Sequence, residues 1–156
     1  MQEDRDVATA GLRQSAKLIL NDLEIEQIKQ EFSEIGADVG LLRFNEGVQT
    51  GYLERRGVFT IRGDVLPNLD SHHPRSVMSR KAVLAHELGH MRYKGTILAP
   101  GAWNDEFRAS YWAAKYVSNL SQEDRVHLIQ DAISRAQEAG VSIRINQFMR
   151  EIMYGF

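Results

Sequence analysis

The chain has 156 residues, of which 43% are hydrophobic and 26% charged, with no cysteine and a formal net charge of -2. Such a length predicts one domain over residues 1–156 with a core large enough to fold unaided. The missing cysteines exclude disulfides, Cys-ligated zinc, iron–sulfur clusters and a thiol nucleophile. The balanced charge argues against a nucleic-acid or anionic-membrane surface. No apolar run approaches the ~18 residues of a membrane span. The acidic opening Met1-Gln-Glu-Asp-Arg-Asp is not followed by the apolar stretch of a signal peptide. A cytoplasmic protein is the expectation, with no direct nucleic-acid partner and no membrane.

In chain order, Leu12, Ala16, Ile19 and Leu20 recur at helical spacing, and Leu23, Ile25, Ile28 and Phe32 continue the period to Gly36. The first 35 residues therefore read as one or two helices, with Asn21-Asp22 a break and N-cap. Three short β-rich runs follow, 39–44, 48–53 and 58–62, separated by the turn signals Asn45-Glu-Gly47 and Arg55-Arg-Gly57. Short turns between neighbouring strands predict an antiparallel meander. Residues 65–75 read as an irregular loop. A helix then starts at Ser76 or Ser79 and runs to Tyr93, with Gly95 as its stop. Asn104 or Asp105 is the expected cap of the next helix, after a loop with Pro100 and Gly101. Ser121-Gln-Glu-Asp124 has capping-box character, Gly140 ends that helix, and 143–154 reads as a last helix. The class is α+β: N-terminal helix or helices, a small three-stranded antiparallel sheet, then C-terminal helices.

Within the central helix, residues 86–90 read His-Glu-Leu-Gly-His. Residues four apart on a helix share a face, with Cβ atoms about 5–6 Å apart, so His86 and His90 can turn both imidazoles to one ion. Glu87 lies one step round that face. Zinc lowers the pKa of a bound water from about 15.7 to about 7, and Glu87 is placed to take its proton. A catalytic zinc needs a third protein ligand. Glu106 fits best, because Ala109 and Ala113 on its face let the second helix come close. Asp105 and His127 are the lesser alternatives. For stabilising an oxyanion, Tyr93, seven residues after His86, comes first, ahead of His72, His73 and Tyr111. Asp105, Asn104 and Asp70 are candidates to orient the ligating imidazoles. Trp103, Phe107 and Trp112 read as core, and Arg55-Arg56, Arg75, Arg80 and Lys81 as solvated surface.

The segments Val83-Leu-Ala-His-Glu-Leu-Gly-His90 and Glu106-x-x-Ala109-Ser110-x-Trp112-Ala113-Ala114 resemble the ImmA/IrrE family of zinc metallopeptidases. Ser110 and Trp112 stand where that family carries Asn and Phe, and Lys115-Tyr-Val-Ser118 replaces its usual ending. The resemblance covers about residues 58–114. It implies a minimal zincin-like domain, Zn2+ on His86, His90 and Glu106, and Glu87 as catalytic base. Bacterial or phage proteins that cleave or inactivate transcriptional repressors are typical of the family. The expected function is hydrolysis of a peptide bond in a specific protein substrate, such as a transcriptional regulator. The alternative is a zinc-containing module that acts on a partner by contact, without turnover.

Overall fold

The computed structural model describes residues 13–96 and 102–156. Leu12, Pro100 and Gly101, used in the expectations above, lie outside the described residues. Helix α1, Asp22–Glu34, begins as expected: the Asn21 side chain accepts from Glu24 N–H, and Glu24 returns a bond to the Asn21 N–H. The helical reading fails before it. Residues 16–18 are a turn, and Arg13 forms a bridge to Pro67. Tertiary partners take the backbone groups a helix would use: Arg62 Nε donates to Ala16 O, and Asn45 bonds both the N–H and the carbonyl of Leu20. Just before them, the buried Arg13 guanidinium donates to the carbonyls of Asp64, Val65, Arg75 and Met78. Those four bonds satisfy the buried guanidinium through tertiary contacts that helical spacing does not encode. They also tie the chain leading into the central helix.

The strands are β1 (Leu42–Phe44), β2 (Gly51–Leu53) and β3 (Val58–Ile61). Their order is β1-β3-β2, with β1 parallel to β3 and β2 antiparallel to it. The sheet is therefore mixed, and the antiparallel meander is corrected. Residues 45–50 make the difference. Six residues can step over a strand position, about 4.8 Å per step, where a two-residue hairpin cannot. That connection is pinned where it crosses: Arg62 Nη1 donates to Asn45 O at 2.7 Å, Thr60 Oγ1 to Gln49 O at 2.8 Å, and Thr50 N to Asp64 Oδ1 at 2.9 Å.

Helix α2 (Pro74–Val77) is a single turn capped by His73 that straddles the end of the expected loop, 65–75. Helix α3 (Arg80–Arg92) is capped by Ser79, and Gly95 adopts φ +76 beyond its end. Helix α4 (Trp103–Tyr116) has Ala102 at its cap position with no side-chain bond, so neither Asn104 nor Asp105 caps it. Helix α5 (Gln122–Glu138) carries the expected capping box. Helix α6 (Gln147–Tyr154) is capped by Asn146 and starts at Gln147, four residues later than expected from Ile143. Among the described residues, no helix is long and apolar enough to cross a membrane. The apolar core lies between α1, β3 and α3. Phe32 and Phe59 meet edge to face with centroids 5.3 Å apart, and Ile28, Ile61 and Leu84 are fully buried around them.

Candidate metal centre

α3 is covered on two sides. One side meets α1 and β2, the other α4 and α5. Ala82 through Gly89 are all buried in consequence. The approach of α4 is unusually close at Gly89. A Cβ there would stand 2.4 Å from the Ala109 carbonyl oxygen and 2.7 Å from its Cα. Only a residue without Cβ admits that contact. Glu106 lies one turn before Ala109 and is thereby brought onto the two imidazoles.

His86 Nε2 is 2.9 Å from Glu106 Oε1 and 3.1 Å from His90 Nε2, and His90 Nε2 is 3.2 Å from the same carboxylate oxygen. Donors on a tetrahedral zinc with 2.0–2.1 Å bonds stand about 3.3–3.4 Å apart, so the triangle would open by only about 0.1–0.5 Å to seat an ion. With neutral rings turned inward, all three atoms offer lone pairs to one point. At this spacing they repel unless a cation or a proton lies among them. His90 shows that demand. Burial works against its charge, yet the Glu106 hydrogen bond and the charges of Glu87, Glu106 and Asp105 hold its pKa up at about 9. Glu106 is itself held well below the usual carboxylate range, its burial outweighed by both imidazoles. His86, His90 and Glu106 thus form a buried group that could hold a metal ion.

The surrounding groups fix this set. His90 Nδ1 faces Asp105 Oδ2 at 3.3 Å, and Asp105 Oδ1 accepts from Arg108 at 3.1 Å. Of the three candidates to orient the imidazoles, Asp105 is the one the structure sets against a ring nitrogen. On the far side, His86 Nδ1 lies 2.7 Å from Ser110 Oγ, which donates to Asp131 Oδ2 at 2.6 Å. Asp131 Oδ1 accepts from Arg75 Nε at 2.9 Å and from Arg135 Nε at 3.1 Å. Burial disfavours the Asp131 charge, but Arg135, His86 and Arg75 outweigh it and hold the pKa at about 2. Arg135 Nη2 also stands 3.6 Å from Glu106 Oε1. Arg75 is thus no solvated surface residue. Arg80 and Lys81 likewise pair across to Glu31 and Glu34 of α1.

Glu87 is nearly enclosed. Its Oε1 accepts the backbone N–H of Tyr52, in β2, at 3.1 Å. Burial pushes this carboxyl above its ordinary range, with His90 and His86 pulling the other way. Tyr93 caps α3, with its ring under the Arg108 guanidinium at 4.5 Å. With Phe107, Tyr111 and Met149 it lines a cavity of about 250 Å³ whose walls include none of the three converging ligands. The Tyr111 hydroxyl accepts from Asn146. His73 caps α2 and faces Glu138 at 3.1 Å, and His72 is exposed. His127 sits on α5 outside the converging group.

The sequence reading missed Ser110, Asp131 and Arg135. A signal existed for two of them. Ser110 falls at i+4 from Glu106, on the face already read as close-packed. Asp131 lies within the buried stripe of Leu128, Ile129, Ala132 and Ala136, where a lone acid requires a partner. Compared with protein-family models, curated proteins and solved structures, the chain matches none.

Proposed function

We propose that the protein is a zinc-dependent metallopeptidase of the ImmA/IrrE type, acting on a peptide bond in a specific protein substrate such as a transcriptional regulator. The observation that carries this reading is the meeting of two imidazole nitrogens and one carboxylate oxygen within 2.9–3.2 Å, beside a separate, enclosed carboxylate on Glu87. Two His and one carboxylate are a donor set suited to zinc. When bound, zinc supplies Lewis acidity toward a scissile carbonyl and lowers the pKa of water to about 7.

The chain's own residues do the rest. Tyr52 N–H holds Oε1 of Glu87, leaving Oε2 to take the proton of the attacking water and return it to the leaving amine. Asp105 orients the His90 ring through Nδ1. Arg135 stands against Glu106 and offsets its charge. Enclosure by α4, α5 and β2 excludes bulk water and strengthens each of these interactions.

Metal analysis of the purified chain, beside a quenched fluorescent peptide library, tests the reading. About one zinc per chain is expected, absent from Glu106→Ala and His86→Ala. Glu87→Gln should keep the zinc and lose cleavage by about 10²–10⁴-fold. A zinc-loaded chain whose partner binding is untouched by Glu87→Gln, with no cleavage in either form, would replace catalysis by the contact-only reading. Tyr93→Phe keeps the ring under Arg108 and reads the expected oxyanion contribution of its hydroxyl as a loss of kcat.

A further inference from the structure

Three features behind His86 combine into a proton count. Ser110 Oγ stands between His86 Nδ1 at 2.7 Å and Asp131 Oδ2 at 2.6 Å, all three groups buried. Asp131 is clamped on its other oxygen by two guanidinium groups, Arg75 and Arg135. A carboxylate between two such cations is ionised and only accepts. The single hydroxyl proton of Ser110 therefore goes to Asp131. What Ser110 then offers His86 is a lone pair, so the proton in that bond belongs to Nδ1. A neutral imidazole carries one N–H, so Nε2 is left with its lone pair, aimed at the point where His90 Nε2 and Glu106 Oε1 converge.

We infer that Ser110 and Asp131 are positioning residues of the metal centre: the one-way bond from Ser110 to Asp131 fixes His86 as its Nδ1–H tautomer and so presents Nε2 to the metal. The carboxylate acts on the imidazole through a hydroxyl and touches neither the metal nor the substrate. α5 thus becomes a third wall of the site, since Asp131 and Arg135 reach it from one face, four residues apart. The inference rests on the proposed metal centre and not on peptidase activity.

Zinc affinity, read by chelator competition, tests it, with metal-free folding followed by circular dichroism. Ser110→Ala leaves the Asp131–Arg75–Arg135 cluster intact and should lower zinc affinity by about 10–100-fold while the metal-free chain still folds. Ser110→Thr keeps the hydroxyl and should restore most of that loss. Asp131→Asn can turn an amide N–H toward Ser110, reversing the hydroxyl so that it donates to Nδ1. That forces the proton onto Nε2, and affinity should fall at least as far as in Ser110→Ala. Adding Asp131→Asn to Ser110→Ala should cost little more, because the relay is already cut. Zinc affinity of Ser110→Ala within twofold of the parent overturns the inference. So do losses that simply add in the double variant, which would make Asp131 a structural residue only. Should Asp131→Asn fail to fold, the Ser110 pair still decides. A chain that binds zinc with these dependences yet cleaves no peptide would sink the peptidase and leave this inference standing.

Discussion

The two sides of α3 are buried by opposite means. Toward α1 and the sheet, Phe32, Phe59, Ile28 and Ile61 fill the space with apolar surface. Toward α4 and α5, buried apolar residues such as Ala109, Ala113, Leu128 and Ile129 share the space with the buried polar groups His86, Ser110, Asp105 and Asp131, with Arg75 and Arg135 around them. Apolar burial stabilises by roughly 25 cal/mol per Å². Buried ions gain little net stability, because desolvation offsets most of their attraction. One side of the helix therefore holds the fold, and the other spends part of that stability on holding four polar side chains in place.

That contrast can be broken from either side. The largest effect on stability should come from Phe32→Ala, which empties a fully buried aromatic site on α1 far from the ligands. A loss of about 3–5 kcal/mol is expected in denaturant unfolding, with zinc stoichiometry unchanged wherever the variant is folded. A parallel loss of metal would mean that the two halves are not separable. Gly89→Ala strikes the seam between α3 and α4. Its Cβ meets Ala109 backbone, which cannot rotate away, so about 3 kcal/mol of overpacking is expected. Here zinc affinity should fall as well, since Glu106 moves with α4. Unaltered metal binding in a destabilised Gly89→Ala would show that the close contact serves packing alone.

The third effect is smaller and depends on pH. Asp131, at about 2 in the fold, lies below an ordinary aspartate near 3.9. A depressed folded value gives stability that is complete above the unfolded pKa and is lost as pH falls from about 4 toward 2. The contribution is on the order of 2 kcal/mol. Acid titration of metal-free unfolding should show that loss in the parent, and a shallower one in Asp131→Asn. Matching slopes would remove the electrostatic account of the polar half.

Much of this was readable from the chain, for local reasons. Asn21, Ser79 and Ser121 cap helices through their own neighbours, so their positions follow from short-range chemistry. His86 and His90 were legible because helical spacing sets which side chains share a face, and Glu106 because Ala109 and Ala113 on its own face let a second helix come close. What escaped was set over longer distances. Ala16 and Leu20 give their backbone groups to Arg62 and Asn45 in place of helical partners, and Arg13 bonds to carbonyls more than fifty residues away. The parallel pairing of β1 with β3 depends on a connection that skips a strand. Asp105 reads as a cap, but His90 competes for it and wins. The buried stripe of α5 hints at Asp131, but its partners Ser110 and Arg75 lie on other elements, and only tertiary packing brings them to it.

The skipped strand has a consequence for how the chain assembles. β2 and β3 are joined by a short turn and can zip together locally, within microseconds. β1 is made earlier in the chain but has no partner until β3 is in place, because Leu42 pairs with Phe59. Its hydrogen-bonding edge therefore stays open through the first stages of folding, and its closure waits on the loop 45–50 crossing over. The step that completes the sheet also seats Phe59 against Phe32 under α3. Completing the sheet thus takes a parallel pairing across 17 residues, Leu42 to Phe59, where the β2–β3 hairpin closes across five, Leu53 to Val58.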